Sequence, residues 1–120
     1  MATYVEINGN RYPATISGRI HDKEWDDRES KSIKLELSYA EVVETFVDDV
    51  EWSIVQDVEV QNEIIDENGE VAVETVVEFN TYDNTEFCVA GDVIDHRNGT
   101  VTVKMGKPTA EELLAILIGG

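Results

Sequence analysis

Three Asn-Gly pairs, Asn8-Gly9, Asn68-Gly69 and Asn98-Gly99, interrupt stretches of alternating hydrophobic and polar residues. Such a pair is the strongest short-range sign of a β-hairpin. A two-residue type I′ turn needs positive φ at both central positions, and Asn and Gly tolerate that best. A chain with three of them is committed to antiparallel pairing. The first pair joins Thr3–Ile7 to Asn10–Ala14 and sets Val5 opposite Tyr12 and Glu6 opposite Arg11, a favourable cross-strand ion pair. The second joins two long runs, Glu51–Ile65 and Val71–Asn80, and the third joins Asp92–His96 to Thr100–Met105.

A type I′ turn also registers the middle hairpin. With Glu67 facing Glu70, Ile64 faces Val73, Val60 faces Val77 and Val58 faces Phe79, and Trp52 and Ile54 continue the apolar phase. The same register opposes Glu59 to Glu78 and Glu63 to Glu74 on the other face. Like charges directly opposite each other destabilise a ladder. These four acids are therefore expected to meet Lys or Arg from the chain ends, or a basic surface on a partner.

Two helices announce themselves by their first turns. Ser38-Tyr39-Ala40-Glu41 and Thr109-Ala110-Glu111-Glu112 both read as capping boxes, a hydroxyl at the N-cap and a Glu three residues on. Val42, Val43, Phe46 and Val47 follow the first, and Leu113, Leu114, Leu117 and Ile118 follow the second, each set forming one apolar stripe. Gly18–Asp22 parallels Gly91–Asp95 and Ile33–Leu37 parallels Val101–Met105, each ahead of a capped helix, so a strand–strand–helix unit recurs. Only two copies exist, which excludes a solenoid. The expected fold is a β-rich α+β domain of about seven or eight mostly antiparallel strands with two short helices. Residues 1–120 form one domain, with pseudo-repeat halves at about 3–48 and 71–118 and a central hairpin at 51–80. Its expected core comprises Trp52, Ile54, Val58, Val60, Val73, Val77, Phe79, Ile33, Leu35, Leu37, Val101, Val103 and both helix stripes.

Charge bears on function. The 120 residues carry 26 acids and 9 Lys or Arg, a formal net of −17. Residues 35–96 hold 18 of the acids and no Lys or Arg, whereas residues 1–34 are balanced at six of each. Such a balance opposes direct binding to nucleic acid or to an anionic membrane. The longest apolar run, Leu113–Ile118, is far too short to span a bilayer, and the N-terminus lacks the basic and apolar regions of a signal peptide. A single Cys forms no internal disulfide, so a reducing, intracellular location is expected.

No arrangement of residues builds a catalytic centre. Cys88 sits in an apolar stretch and is expected to be a buried, inert thiol. His21 and His96 lie near Asp22, Asp26, Asp27 and Asp95 but lack metal-ligand spacing, so neither a metal nor any other cofactor is expected. Asp66–Glu70 loosely resembles a calcium loop, and the hairpin turn accounts for it. The longest irregular segment, His21–Ser30, places Trp25 beside Asp26 and Asp27, which is either a contact site for a partner or a lid over the core. The candidate interaction surface is thus Glu59, Glu63, Glu74 and Glu78, with Trp25, Asp26 and Asp27.

Glu6–Pro13, Ile16–Ile20, Val89–Asp92, Asp95–Gly99 and Val103–Glu112 resemble small proteins encoded in phage and prophage gene clusters of gut bacteria. The resemblance covers most of the chain outside the central hairpin and implies a structural component associated with tail assembly. It implies no activity and no defined binding residues. The expected function is protein–protein assembly, by self-association or on a partner with a basic surface, in the host cytoplasm or on the particle. The alternative is an acidic mimic of DNA that occupies a nuclease or a DNA-binding protein, with the Glu59/Glu78 and Glu63/Glu74 pairs as steps of an acidic ridge.

Overall fold

A computed structural model describes residues 2–119. The strands are β1 (Thr3–Ile7), β2 (Asn10–Asp22), β3 (Arg28–Leu35), β4 (Trp52–Ile65), β5 (Val71–Asp83), β6 (Val89–Asp95) and β7 (Val101–Gly106). Helix α1 (Tyr39–Thr45) follows β3 and α2 (Ala110–Gly119) follows β7. All seven strands join one antiparallel sheet in the order β5-β4-β1-β2-β3-β7-β6. The β-rich α+β expectation holds, at the lower strand count. The segment expected as a separate strand at 18–22 is the second half of β2, which pairs with β1 up to Pro13 and with β3 from Ala14 onward. Pro13 has no N–H to donate, so it suits the position where the strand changes neighbours.

The Asn8-Gly9 turn forms as expected, with φ of 52° and 79° and with Val5 facing Tyr12 and Glu6 facing Arg11. The Asn68-Gly69 turn does not. Only Gly69 has positive φ there, Gly69 N–H donates to Asp66 C=O (3.0 Å), and Ile65 pairs with Val71 across the loop Asp66–Glu70. The Asp66 carboxylate accepts from the N–H of Asn68 and of Glu70, both at 2.9 Å. Those bonds favour a type I turn followed by a left-handed Gly bulge over the two-residue type I′ turn. The consequence is a register one residue away from the expected one. Glu59 faces Val77, Glu63 faces Val73, Val58 faces Glu78 and Asn62 faces Glu74. Neither like-charge pair exists. The third turn behaves similarly, with positive φ at Arg97 and Gly99 and with Asp95 paired to Val101.

One core closes the fold. Val5, Ile7, Trp52 and Ile54 from the β1–β4 side meet Ile33, Leu35, Val101, Val103 and Met105 from the β3–β7 side, with Val42 and Phe46 of α1 and with Phe87 between. Leu37 is partly buried against this cluster. Trp52 donates its indole N–H to Phe87 C=O at 3.0 Å and meets the Phe87 ring edge-on. The rest of the expected core is outside it. Val58 and Val60 are only half-buried, and Val73, Val77 and Phe79 are exposed, as are Val43 and Val47 after the first cap and the whole apolar stripe of α2. β4 pairs with β1 over residues 52–56 and Asp57 N–H reaches Ala2 C=O (3.0 Å), so beyond that point β4 and β5 have only each other as sheet neighbours.

Strand, strand and helix do recur, and the pairs Ile33–Val103 and Leu35–Val101 are what a two-fold between β3 and β7 requires. The helices break the correspondence. Ser38 caps α1, accepting from Glu41 N–H at 3.2 Å, and α1 packs on β6 and β7 with Val42 and Phe46 buried. α2 makes no comparable packing.

Candidate interaction surfaces

The loop after β2 holds three of the candidate residues. Asp26 and Asp27 adopt left-handed φ values of 57° and 58°, closing a turn in which Asp22 C=O accepts from Trp25 and Asp27 N–H. This turn lays the Trp25 ring against Gly91 of β6 and Gly106 of β7. A Cβ at Gly91 would stand 2.6 Å from the ring and one at Gly106 2.8 Å, so only glycine leaves room for it. Trp25 is half-buried, and the Arg28 guanidinium stacks on it at 4.5 Å. Asp26 lies 3.6 Å from Arg28, and Asp27 lies 3.3 Å from the His21 Nδ1. The three residues thus form the outer wall of an internal cluster, with both carboxylates exposed.

Arg28 is the centre of that cluster, its side chain 3 % exposed. It donates to both Glu112 carboxylate oxygens (2.8 and 3.1 Å) and to Lys107 C=O (3.1 Å). Glu112 also accepts from Thr109 N–H (2.8 Å) while Thr109 Oγ1 accepts from Glu112 N–H (3.2 Å), which completes the expected capping box. Arg28 and the cap together hold the Glu112 carboxyl below its ordinary pKa. Beside it, the buried Asp22 accepts from Lys104 Nζ (2.7 Å) and Ser30 Oγ (3.0 Å), and Lys104 chiefly holds its carboxyl below the usual range. Lys31 and Lys107 both lie over the Phe87 ring, at 4.5 and 5.1 Å, and Glu29 raises the Lys107 pKa. The root of α2 therefore brings Arg28, Lys31, Lys104 and Lys107 together with Asp22, Glu29, Glu86 and Glu112. Sequence reading identified Glu112 as a cap but not as the partner of Arg28, 84 positions away. The small residues Gly91 and Gly106 were the available signal, marking a close approach that Trp25 fills at both and Arg28 shares at Gly106.

The four remaining candidates lie on an arm. Asp57 still donates its N–H to Ala2 C=O (3.0 Å), and from there to Phe79 β4 and β5 pair only with each other and project from the body, in a molecule with principal extents of 70 × 37 × 26 Å. This segment carries eight acids and no Lys or Arg. One face presents Asp57, Glu59 and Glu63 with Phe79, Val77, Val73, Val71 and Ile65; the other presents Glu78 and Glu74 with Val58, Val60, Val76 and Ile64. The candidate acids are thus split between two faces, each interleaved with aliphatic residues. At the arm's base the Arg11 guanidinium covers the Phe79 ring at 4.9 Å while pairing with Glu6 at 3.2 Å. Beyond the base, Ile64, Ile65, Val71, Val73 and Val77 stand open to solvent, while Val58, Val60 and Val76 are half-buried.

α2 is the third surface. Past the first turn held by Arg28, Leu113, Leu114, Ile116, Leu117 and Ile118 are all exposed, Leu117 at 82 % and Ile118 at 77 %. At ten residues, α2 falls well short of a membrane span, and no helix among the described residues is long and apolar enough to cross a membrane. His96 bonds Thr102 Oγ1 at 2.7 Å, on a different hairpin from His21, and no three His, Cys, Asp or Glu side chains among the described residues converge as a metal-ligand set. Cys88 is half-buried, not fully enclosed as expected, and lies in the turn ahead of β6. No protein-family model matches the chain, and no curated protein or solved structure is significantly similar to it.

Proposed function

We propose that this chain is a non-enzymatic assembly component that joins copies of itself into a larger particle. The observation that carries this reading is the pair of uncovered apolar elements, the arm and α2, on a body whose own core is complete without them. A monomer rarely leaves contiguous apolar patches beyond a few hundred Å² exposed, and larger ones mark contact sites. The resemblance to phage and prophage proteins supports a place in a tail or related structure, in the host cytoplasm or on the particle. The alternative of a DNA mimic draws on the same acidic segment. It needs carboxylates along one ridge at the density of duplex phosphates, one charge per about 1.7 Å. Here the acids divide between two faces and alternate with valines, a surface better suited to protein than to a DNA-binding groove.

Light scattering after size exclusion, over a wide dilution series and at low and high salt, tests the reading. The expected result is a concentration-dependent mass above that of one chain, persisting at high salt because the contacts are largely apolar. A chain that stays monomeric at every concentration overturns self-assembly.

A further inference from the structure

Two elements of this molecule each lack a layer. The arm is a two-stranded ribbon with neither a third strand nor a helix over it, and such a hairpin gains independent stability when one of these packs on it. α2 is the converse, a helix with exposed aliphatic residues and no sheet beneath. Domains close surfaces of this kind by laying helix on sheet. Within one chain the two do not cover each other, since both stay exposed. We propose that α2 of one copy seats on the arm of a second copy, so that the chain assembles head to tail. The proposal rests on the assembly reading above and names its contact.

Charge fits the same pairing. α2 has no ionisable side chain after Glu112, and Glu112 is neutralised by Arg28. Its apolar length therefore lies along an acidic ribbon without like-charge repulsion. At the root of α2, Lys107 is already paired with Glu29 (3.0 Å) and Glu86 (3.6 Å), so Lys31, which shares the Phe87 ring with it, is the base left for the tip of the arm, where Asp66, Glu67 and Glu70 stand without any Lys or Arg. Opposite charges at one end of an apolar contact fix its direction. Lengths agree as well. Ten helical residues span about 15 Å, while the nine-residue unsupported part of each arm strand spans about 30 Å, which leaves ribbon for the basic root beyond the helix. The face with Phe79, Val77, Val73, Val71 and Ile65 carries Asp57, Glu59 and Glu63 as well, but its apolar side chains are the more exposed of the two faces, and it is assigned to the helix. Because the two surfaces differ, the contact is heterologous and closes into a ring or extends as a filament.

Site-directed disulfide capture between two chains tests it, both in a Cys88→Ala background. One chain carries Val73→Cys on the arm; the other carries Leu117→Cys on α2 and a size tag. After mixing and mild oxidation, the expected product is the arm–helix heterodisulfide, in several-fold excess over either homodisulfide. An excess of helix–helix or arm–arm product overturns the proposal in favour of a symmetric pairing. Absence of any disulfide while the wild type still associates also overturns it, and leaves the assembly reading standing. A wild type that stays monomeric overturns both. In parallel, Leu117→Asp is expected to weaken association by roughly tenfold or more with an unchanged melting curve, since the side chain is exposed in one chain. Undiminished association of that variant overturns the proposal.

Discussion

At the residue scale, the pair Asp22–Lys104 does what composition alone hides. In a chain of net charge −17, a buried carboxylate is held ionised by the chain's own bases. Its folded pKa lies below the ordinary value of 3.8, with the Lys104 bond as the largest cause and burial opposing it. The unfolded state thus takes up a proton more readily than the folded one as pH falls. The stabilisation is complete above the unfolded value and is lost as pH drops through the lower, folded value. Replacing Asp22 with Asn is expected to lower the urea midpoint clearly at neutral pH. The gap between wild type and variant should hold down to about pH 5 and close as the pH falls well below about 4. Using the difference between the two proteins cancels the relief of repulsion among the other acids. Urea titrations of both proteins across pH 2.5–7 (about that range) measure it, and a gap that does not change with pH would exclude this role for Asp22. Nothing local in the sequence reveals the pair. Asp22 and Lys104 lie on β2 and β7, strands separated by β3, and only the sheet order brings them together.

At the element scale, the two helices carry nearly the same sequence signature and have different fates. Each has a capping box and an apolar stripe, yet α1 contributes Val42 and Phe46 to the core while α2 contributes nothing. Phe46→Ala is therefore expected to cost about 3–5 kcal/mol. Leu114→Ala and Phe79→Ala, at half-exposed positions, should each stay within about 1 kcal/mol of wild type in the isolated chain. Chemical denaturation of the three variants checks this, and a large loss at Leu114 would mean that α2 folds back onto the body. The comparison also defines what was legible. Periodicity and caps locate α1, α2 and all three hairpins, because those signals are local. Which apolar face is covered depends on what lies opposite, and a stripe looks the same whether it faces its own sheet or a neighbour's. The register of the middle hairpin failed for a subtler reason. Asn68-Gly69 reads as a type I′ turn until the Asp66 carboxylate is seen to hold two backbone N–H groups, which moves the left-handed residue to Gly69 alone. One residue of register then separates every acid that the sequence had seemed to oppose.

At the scale of the whole molecule, body and arm divide the work. The body holds every residue of the buried apolar cluster and every base; the arm from Asp57 to Phe79 holds eight acids and none of that cluster. Under the proposed assembly, a division this sharp is expected to make the arm dispensable for folding and necessary for association. Replacing residues 59–77 by Asn-Gly tests it directly. Val58 and Glu78 already face each other, so a two-residue type I′ turn joins them without disturbing the pairing of 53–58 with 78–83. The shortened chain is expected to melt cooperatively and to keep Trp52 in its buried environment, since that ring packs on Phe87 and bonds its carbonyl. It should also remain monomeric at concentrations where the full chain associates. Near-ultraviolet circular dichroism with light scattering on the same sample reads both properties. Loss of the folded signal would place the arm inside the cooperative unit. Association equal to that of the full chain would move the contact onto the body, where the exposed edges of β5 and β6 and the apolar length of α2 are the surfaces left to make it.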